Sequence, residues 1–136
     1  MNDIDRLFPV AAHAELVSKV IEADATRNAS LFASLLTAEG TFRIGARPAV
    51  QGPASIEAAV AEFFRMLGGG IEHTFEGAWT SDRSLVWQAQ VTWTLGDGRR
   101  ISAPYVNVLR LAEDGRVEDY RVHVDMTVLA PPPPRA

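Results

Sequence analysis

The chain has no cysteine in its 136 residues, which excludes disulfides, thiolate metal sites and a cysteine nucleophile. Lysine is nearly absent: of 13 basic residues, only Lys19 is not an arginine. Basic runs are missing too, and 17 acidic residues bring the formal net charge to −4. Without clustered cations to neutralise phosphates, neither nucleic acid nor an anionic membrane is an expected partner. No apolar run approaches the ~20 residues that span a bilayer. The opening Met1-Asn2-Asp3-Ile4-Asp5 has neither the positive nor the apolar segment of a secretory signal, so a cytoplasmic protein is expected. What is present is ordinary globular composition, 47% hydrophobic and 22% charged, in a length that suits one core. The expected organisation is one domain over residues 1–130 and a short extended proline-rich tail over residues 131–136.

The first half has helical spacing. Leu16, Val17, Val20 and Ile21 make one stripe of a helix over about residues 10–23. Asp24 follows and can cap a second helix, which carries Leu31, Phe32, Leu35 and Leu36 and ends near Gly40. Thr41-Phe42-Arg43-Ile44 reads as a short strand. Pro53 then opens a third helix, with Ile56, Val60, Phe63, Phe64 and Leu67 on one side and Gly68-Gly69-Gly70 stopping it. The second half alternates with period two. Trp87, Ala89, Val91 and Trp93 oppose Gln88, Gln90, Thr92 and Thr94. Tyr120, Val122, Val124, Met126 and Val128 oppose Arg121, His123, Asp125 and Thr127 on a strand read as running to Leu129. Gly96-Asp97-Gly98 and Glu113-Asp114-Gly115 are turns. Three helices followed by long strands is an α+β plan, with the helices on one face of a mainly antiparallel sheet.

Ile21-Glu22-Ala23-Asp24, Gly52-Pro53-Ala54-Ser55-Ile56, Asp114-Gly115-Arg116-Val117 and Tyr120-Arg121-Val122-His123-Val124-Asp125 together carry a resemblance. From about residue 10 to 129 the chain resembles the SnoaL-like group of the nuclear transport factor 2-like superfamily. The resemblance implies a cone: a strongly bent sheet wrapped around helices and enclosing an apolar pocket. It also implies relatives among polyketide cyclases, ketosteroid isomerases and limonene epoxide hydrolases, alongside non-catalytic binding domains, so fold alone does not assign an activity. The isomerase pattern requires a carboxylate near Ile44-Gly45 and a first-helix tyrosine, and neither is present. Asn107 stands roughly where that pattern has its oxyanion-hole aspartate. The epoxide hydrolase pattern requires Arg-x-Asp on the central strand, where this chain has Gln88-Ala89-Gln90. The looser cyclase pattern is met by a pocket carboxylate with histidine or asparagine in support.

On this reading Asp125 is the expected general base, with His73 and His123 assisting. Arg121, His123 and Asp125 share one strand face, and an apolar surround would raise the carboxyl towards a useful base. The plain alternatives are an Asp125–Arg121 ion pair, a half-buried His73 bonded to backbone and a His123 at a polar rim. Asn107, Gln88, Gln90, Tyr105, Phe42 and Phe64 complete the expected ligand-contacting set. His73 with His123-x-Asp125 does not make a persuasive metal site, and no metal or other cofactor is expected. If the glutamines and Asp125 face the pocket, then Trp87, Val91, Trp93, Tyr120, Val122 and Val124 face outward. A patch of that size would call for a homodimer through the convex sheet face. The expected protein binds a small, largely apolar molecule. It is either an acid/base enzyme of cyclase, isomerase or dehydratase type acting on a carbonyl or hydroxy compound, or a non-catalytic ligand-binding or assembly domain.

Overall fold

The computed structural model describes residues 3–129, so the proline-rich tail lies outside the described residues. A short helix α1 (Asp3–Leu7) leads into α2 (Ala11–Thr26) and α3 (Ala29–Ser34). Strand β1 (Leu36–Ile44), a two-residue β2 (Val50–Gln51) and α4 (Pro53–Phe64) follow. Four strands complete the order: β3 (Leu67–Ser81), β4 (Ser84–Leu95), β5 (Arg100–Leu111) and β6 (Val117–Val124), before a 3₁₀ turn over Met126–Leu129. The strands form one curved, open sheet in the order β2-β1-β6-β5-β4-β3, antiparallel except where β1 runs parallel to β6. No helix among the described residues is long and apolar enough to cross a membrane.

Four local expectations change, the first being that the last strand ends at Val124 and gives way to the 3₁₀ turn instead of running to Leu129. The second helix ends at Ser34, not near Gly40, because Leu36 and its successors pair with β6 and Val117 N–H donates to the Leu35 carbonyl at 2.9 Å. Its cap is Asn28, whose side chain accepts from Leu31 N–H at 3.0 Å, so Asp24 stays inside α2. Gly68-Gly69-Gly70 does not merely stop a helix; it begins β3. There the missing side chains permit close approach. A Cβ on Gly68 would lie 2.6 Å from the Leu95 carbonyl oxygen, and one on Gly70 would lie 2.4 Å from that of Ala25.

The sheet faces are reversed relative to the expectation. Trp87, Ala89, Val91 and Trp93 point to the concave side and are buried, whereas Gln88 and its neighbours on that parity face outward. The physical reason is the helices. They cover only one side, and burying two indoles there removes far more apolar surface from water than burying two glutamines. Phe8, after α1, joins this core with its ring 5.9 Å from that of Trp87, edge to face. The large outward apolar patch from which dimerisation was argued therefore does not exist on the single chain.

Candidate functional site

The core does not fill the concave side. A cavity of about 380 Å³ remains, within the ~300–1,000 Å³ range of small-molecule sites. Phe32 of α3, Phe42 and Ile44 of β1, Val60, Phe63 and Phe64 of α4, and Val91 and Trp93 of β4 give it a mainly apolar wall. Phe32, Phe42 and Tyr120 pack as a triangle of rings with centroids 5.2–5.6 Å apart. Arg47 and Pro48, from the β1–β2 loop, stand at its exposed margin.

Polar groups enter this wall as a connected set. His73 projects from the concave face of β3 and Asp24 from the last turn of α2, with side chains only 6% and 16% exposed. His73 Nε2 lies 2.9 Å from Asp24 Oδ2, and Nδ1 lies 2.6 Å from the Tyr105 hydroxyl. Trp87 Nε1–H donates to that same hydroxyl at 3.1 Å. With the imidazole neutral, the donors run one way along the chain: Trp87 N–H to Tyr105, Tyr105 O–H to His73 Nδ1, and His73 Nε2–H to the Asp24 carboxylate. Burial pushes the Tyr105 phenol well above its ordinary value, so it remains a donor. Asp24 Oδ1 has no hydrogen bond among the described residues.

A second pair lies beside the first on β5 and β6. Asn107 Nδ2 donates to the Tyr120 hydroxyl at 3.0 Å. Burial, then the nearby Asp24 and Tyr105, push the Tyr120 phenol far up as well. Asn107 Oδ1 is buried and has no donor among the described residues, a cost that folding alone does not explain.

Of the residues expected from sequence, His73, Tyr105, Asn107, Phe42 and Phe64 line the cavity. Asp125, His123, Gln88 and Gln90 do not, for the face reversal carries them to the outer side. Asp125 also lies beyond β6, where its carboxylate accepts from Thr127 N–H at 2.9 Å and Thr127 Oγ1–H at 2.6 Å. Those bonds hold its carboxyl below the ordinary value, opposite to the shift expected of a pocket base. Arg121 Nε pairs with Asp119 at 2.9 Å, not with Asp125. Gln90 reaches Glu76 at 3.4 Å, and His123 and Gln88 are exposed. Asp24 is the residue missed by the sequence reading. Its signal was there: a carboxylate one turn after Val20, on the buried stripe of Val17, Val20 and Ala23. Among the described residues no three histidines or carboxylates come together as a metal site.

The SnoaL-like domain family matches residues 17–120, and the chain belongs to that family. No curated protein shows significant similarity to it. Solved structures share the fold at low identity. A protein with a ketosteroid isomerase-like fold from Catenulispora acidiphila DSM 44928, in complex with trimethylamine, is 16% identical, with 84% of this chain and 88% of that one covered and a TM-score of 0.75. A SnoaL-like polyketide cyclase, so described provisionally, from Jannaschia sp. CCS1 is 20% identical over 88% and 94%, with a TM-score of 0.67. An epoxide hydrolase of the limonene epoxide hydrolase type from M. tuberculosis is 15% identical over 82% and 80%, with a TM-score of 0.66.

Proposed function

We propose that this SnoaL-like chain is an acid–base enzyme acting on a small, largely apolar carbonyl or hydroxy compound held in the cavity. The observation that carries this reading is the uncommitted oxygen of Asp24 in a mainly apolar wall, with its other oxygen held by His73. Asp24 Oδ1 takes a proton from a carbon next to the substrate carbonyl, and the C–H electron pair moves onto the carbonyl oxygen as an enolate. His73 Nε2–H orients and stabilises the carboxylate, and Tyr105 fixes the imidazole tautomer. The Tyr120 O–H, its oxygen already accepting from Asn107, donates to the forming enolate oxygen. Returning the proton to another carbon gives isomerisation. Delivering it to a departing hydroxyl gives dehydration. Relatives described as a polyketide cyclase and an epoxide hydrolase support small-molecule chemistry in this fold.

The test is deuterium uptake next to the carbonyl of 1-indanone and 2-tetralone in D₂O, followed by NMR. Wild type accelerates exchange; Asp24→Asn lowers the accelerated rate by about 10²–10⁴-fold, the usual scale of general base catalysis. Ketones that bind without exchange would favour a non-catalytic ligand-binding domain. One observation favours that second reading: both His73 nitrogens are engaged within the protein, which also serves to dock α2 on the sheet. A homodimer through the outer sheet face stays part of the proposal on a smaller basis. Val86, Val106 and Val108 lie together there, half-buried in the single chain. Light scattering after size exclusion tests it, and a monomer at micromolar concentration rejects it.

A further inference from the structure

Arg47 is the cation that borders the cavity, and it has no carboxylate partner among the described residues. Arg27, Arg43, Arg65 and Arg83 also lack a carboxylate partner among the described residues, but Arg47 alone of these lines the cavity, whereas Arg99, Arg100, Arg110, Arg116 and Arg121 each hold an acidic side chain. The backbone of Arg47 is nevertheless well fixed. Gly45, left-handed at φ 57°, donates to the Val122 carbonyl at 2.8 Å, and Arg47 N–H donates to the Ile44 carbonyl at 3.2 Å. Arg43 Nε–H donates to the Arg47 carbonyl at 3.0 Å. The loop thus holds Arg47, exposed and without a carboxylate partner among the described residues, on the wall of a mainly apolar chamber.

From this we infer that the cavity takes a small apolar acid, with its anionic group on Arg47 and its apolar body inward. The inference rests on the reading of the cavity as the ligand site, and it adds the class and direction of the ligand. The other formal charge on the wall, Asp24, has the opposite sign. An anion is repelled from Asp24 and drawn to Arg47, so the acid enters body first and delivers its far end to Asp24 and His73. A guanidinium fork matches a carboxylate with two parallel hydrogen bonds. The cavity wall that Arg47 shares with Val50, Phe63 and Val124 is mainly apolar, and an apolar surround strengthens the attraction.

Calorimetry with three probes of nearly one shape tests this: 2-naphthoate, its methyl ester and 2-naphthylmethylammonium. Naphthoate should bind wild type about tenfold more tightly than the ester, the scale of one charge-assisted hydrogen-bonded pair. That margin should shrink as salt rises. Arg47→Gln should bring acid and ester to equal affinity, Arg47→Lys should keep part of the preference, and Arg47→Glu should favour the ammonium probe. Arg47 is exposed, so unchanged melting points will show that these variants fold. Equal binding of acid and ester by wild type, tighter binding of the amine, or an unchanged preference in Arg47→Gln would each overturn the inference and leave the cavity as a ligand site. Failure of every probe to bind would overturn the cavity reading itself, and this inference with it.

Discussion

Replacing each glycine of Gly68-Gly69-Gly70 with alanine separates packing from site geometry. At Gly70 the added Cβ would meet the Ala25 carbonyl oxygen at 2.4 Å, and at Gly68 it would meet that of Leu95 at 2.6 Å. Both obstacles are backbone, so strand or neighbour must shift. At Gly69 the nearest atom is a Thr94 side-chain carbon at 3.4 Å, an ordinary contact. Forced overpacking costs about 1–3 kcal/mol. For a chain of 136 residues, at roughly 3–5 °C per kcal/mol, Gly68→Ala and Gly70→Ala should each lower the melting temperature by about 3–15 °C. Gly69→Ala should leave it nearly unchanged. The two costly variants then differ at the site. Ala25 follows Asp24 in α2, so the Gly70 methyl pushes the turn that carries the carboxylate away from His73. Gly68 lies against the β4 end, away from the cavity wall. Gly70→Ala should therefore lose ketone exchange and shift the His73 ring resonances, whereas Gly68→Ala keeps both well below its melting point. A Gly70→Ala protein that melts with wild type, or that melts early with unchanged His73 resonances, would refute this account of how strand and helix set the site.

Asp125→Asn should leave ketone exchange unchanged, because the carboxylate lies outside the cavity; exchange rates of the purified variant decide. The two tyrosines of the chain, Tyr105 and Tyr120, should titrate only as the protein unfolds in alkali. Their folded values are raised, so the stability they contribute is complete below the ordinary value of 10.0 and is lost as pH rises through and beyond it. Phenolate absorbance and circular dichroism followed in one pH titration should change together, and phenolate appearing in the folded protein would contradict the burial of both rings.

Much of the architecture was legible without coordinates, because periodicity reports local geometry. The stripe of Leu16, Val17 and Val20 and the alternation from Trp87 to Trp93 follow from helix and strand repeats that any chain must obey. The resemblance carried by four short segments added the curved, open sheet with helices on one side. Period two, however, divides a strand into two faces without stating which is inward. The correct face was open to argument from the indoles alone, but a functional expectation for Asp125 outweighed the simpler rule that apolar rings go inside. Asp24 was harder to see. A carboxylate at a helix end is ordinarily a cap or a solvated group; its place one turn after Val20 marks it as inward-facing but does not say that it meets an imidazole.

By itself, then, the sequence determined the main helix and strand stripes, the absence of thiol chemistry and the family pattern. These depend on residue type and near-neighbour spacing. Only the tertiary structure decided which sheet face the helices cover, that Asp24 meets His73 across 49 positions, and that Arg47 stands on the wall of the chamber. Each of these is a relation between segments far apart in the chain, set by how much apolar surface their packing removes from water rather than by any local preference.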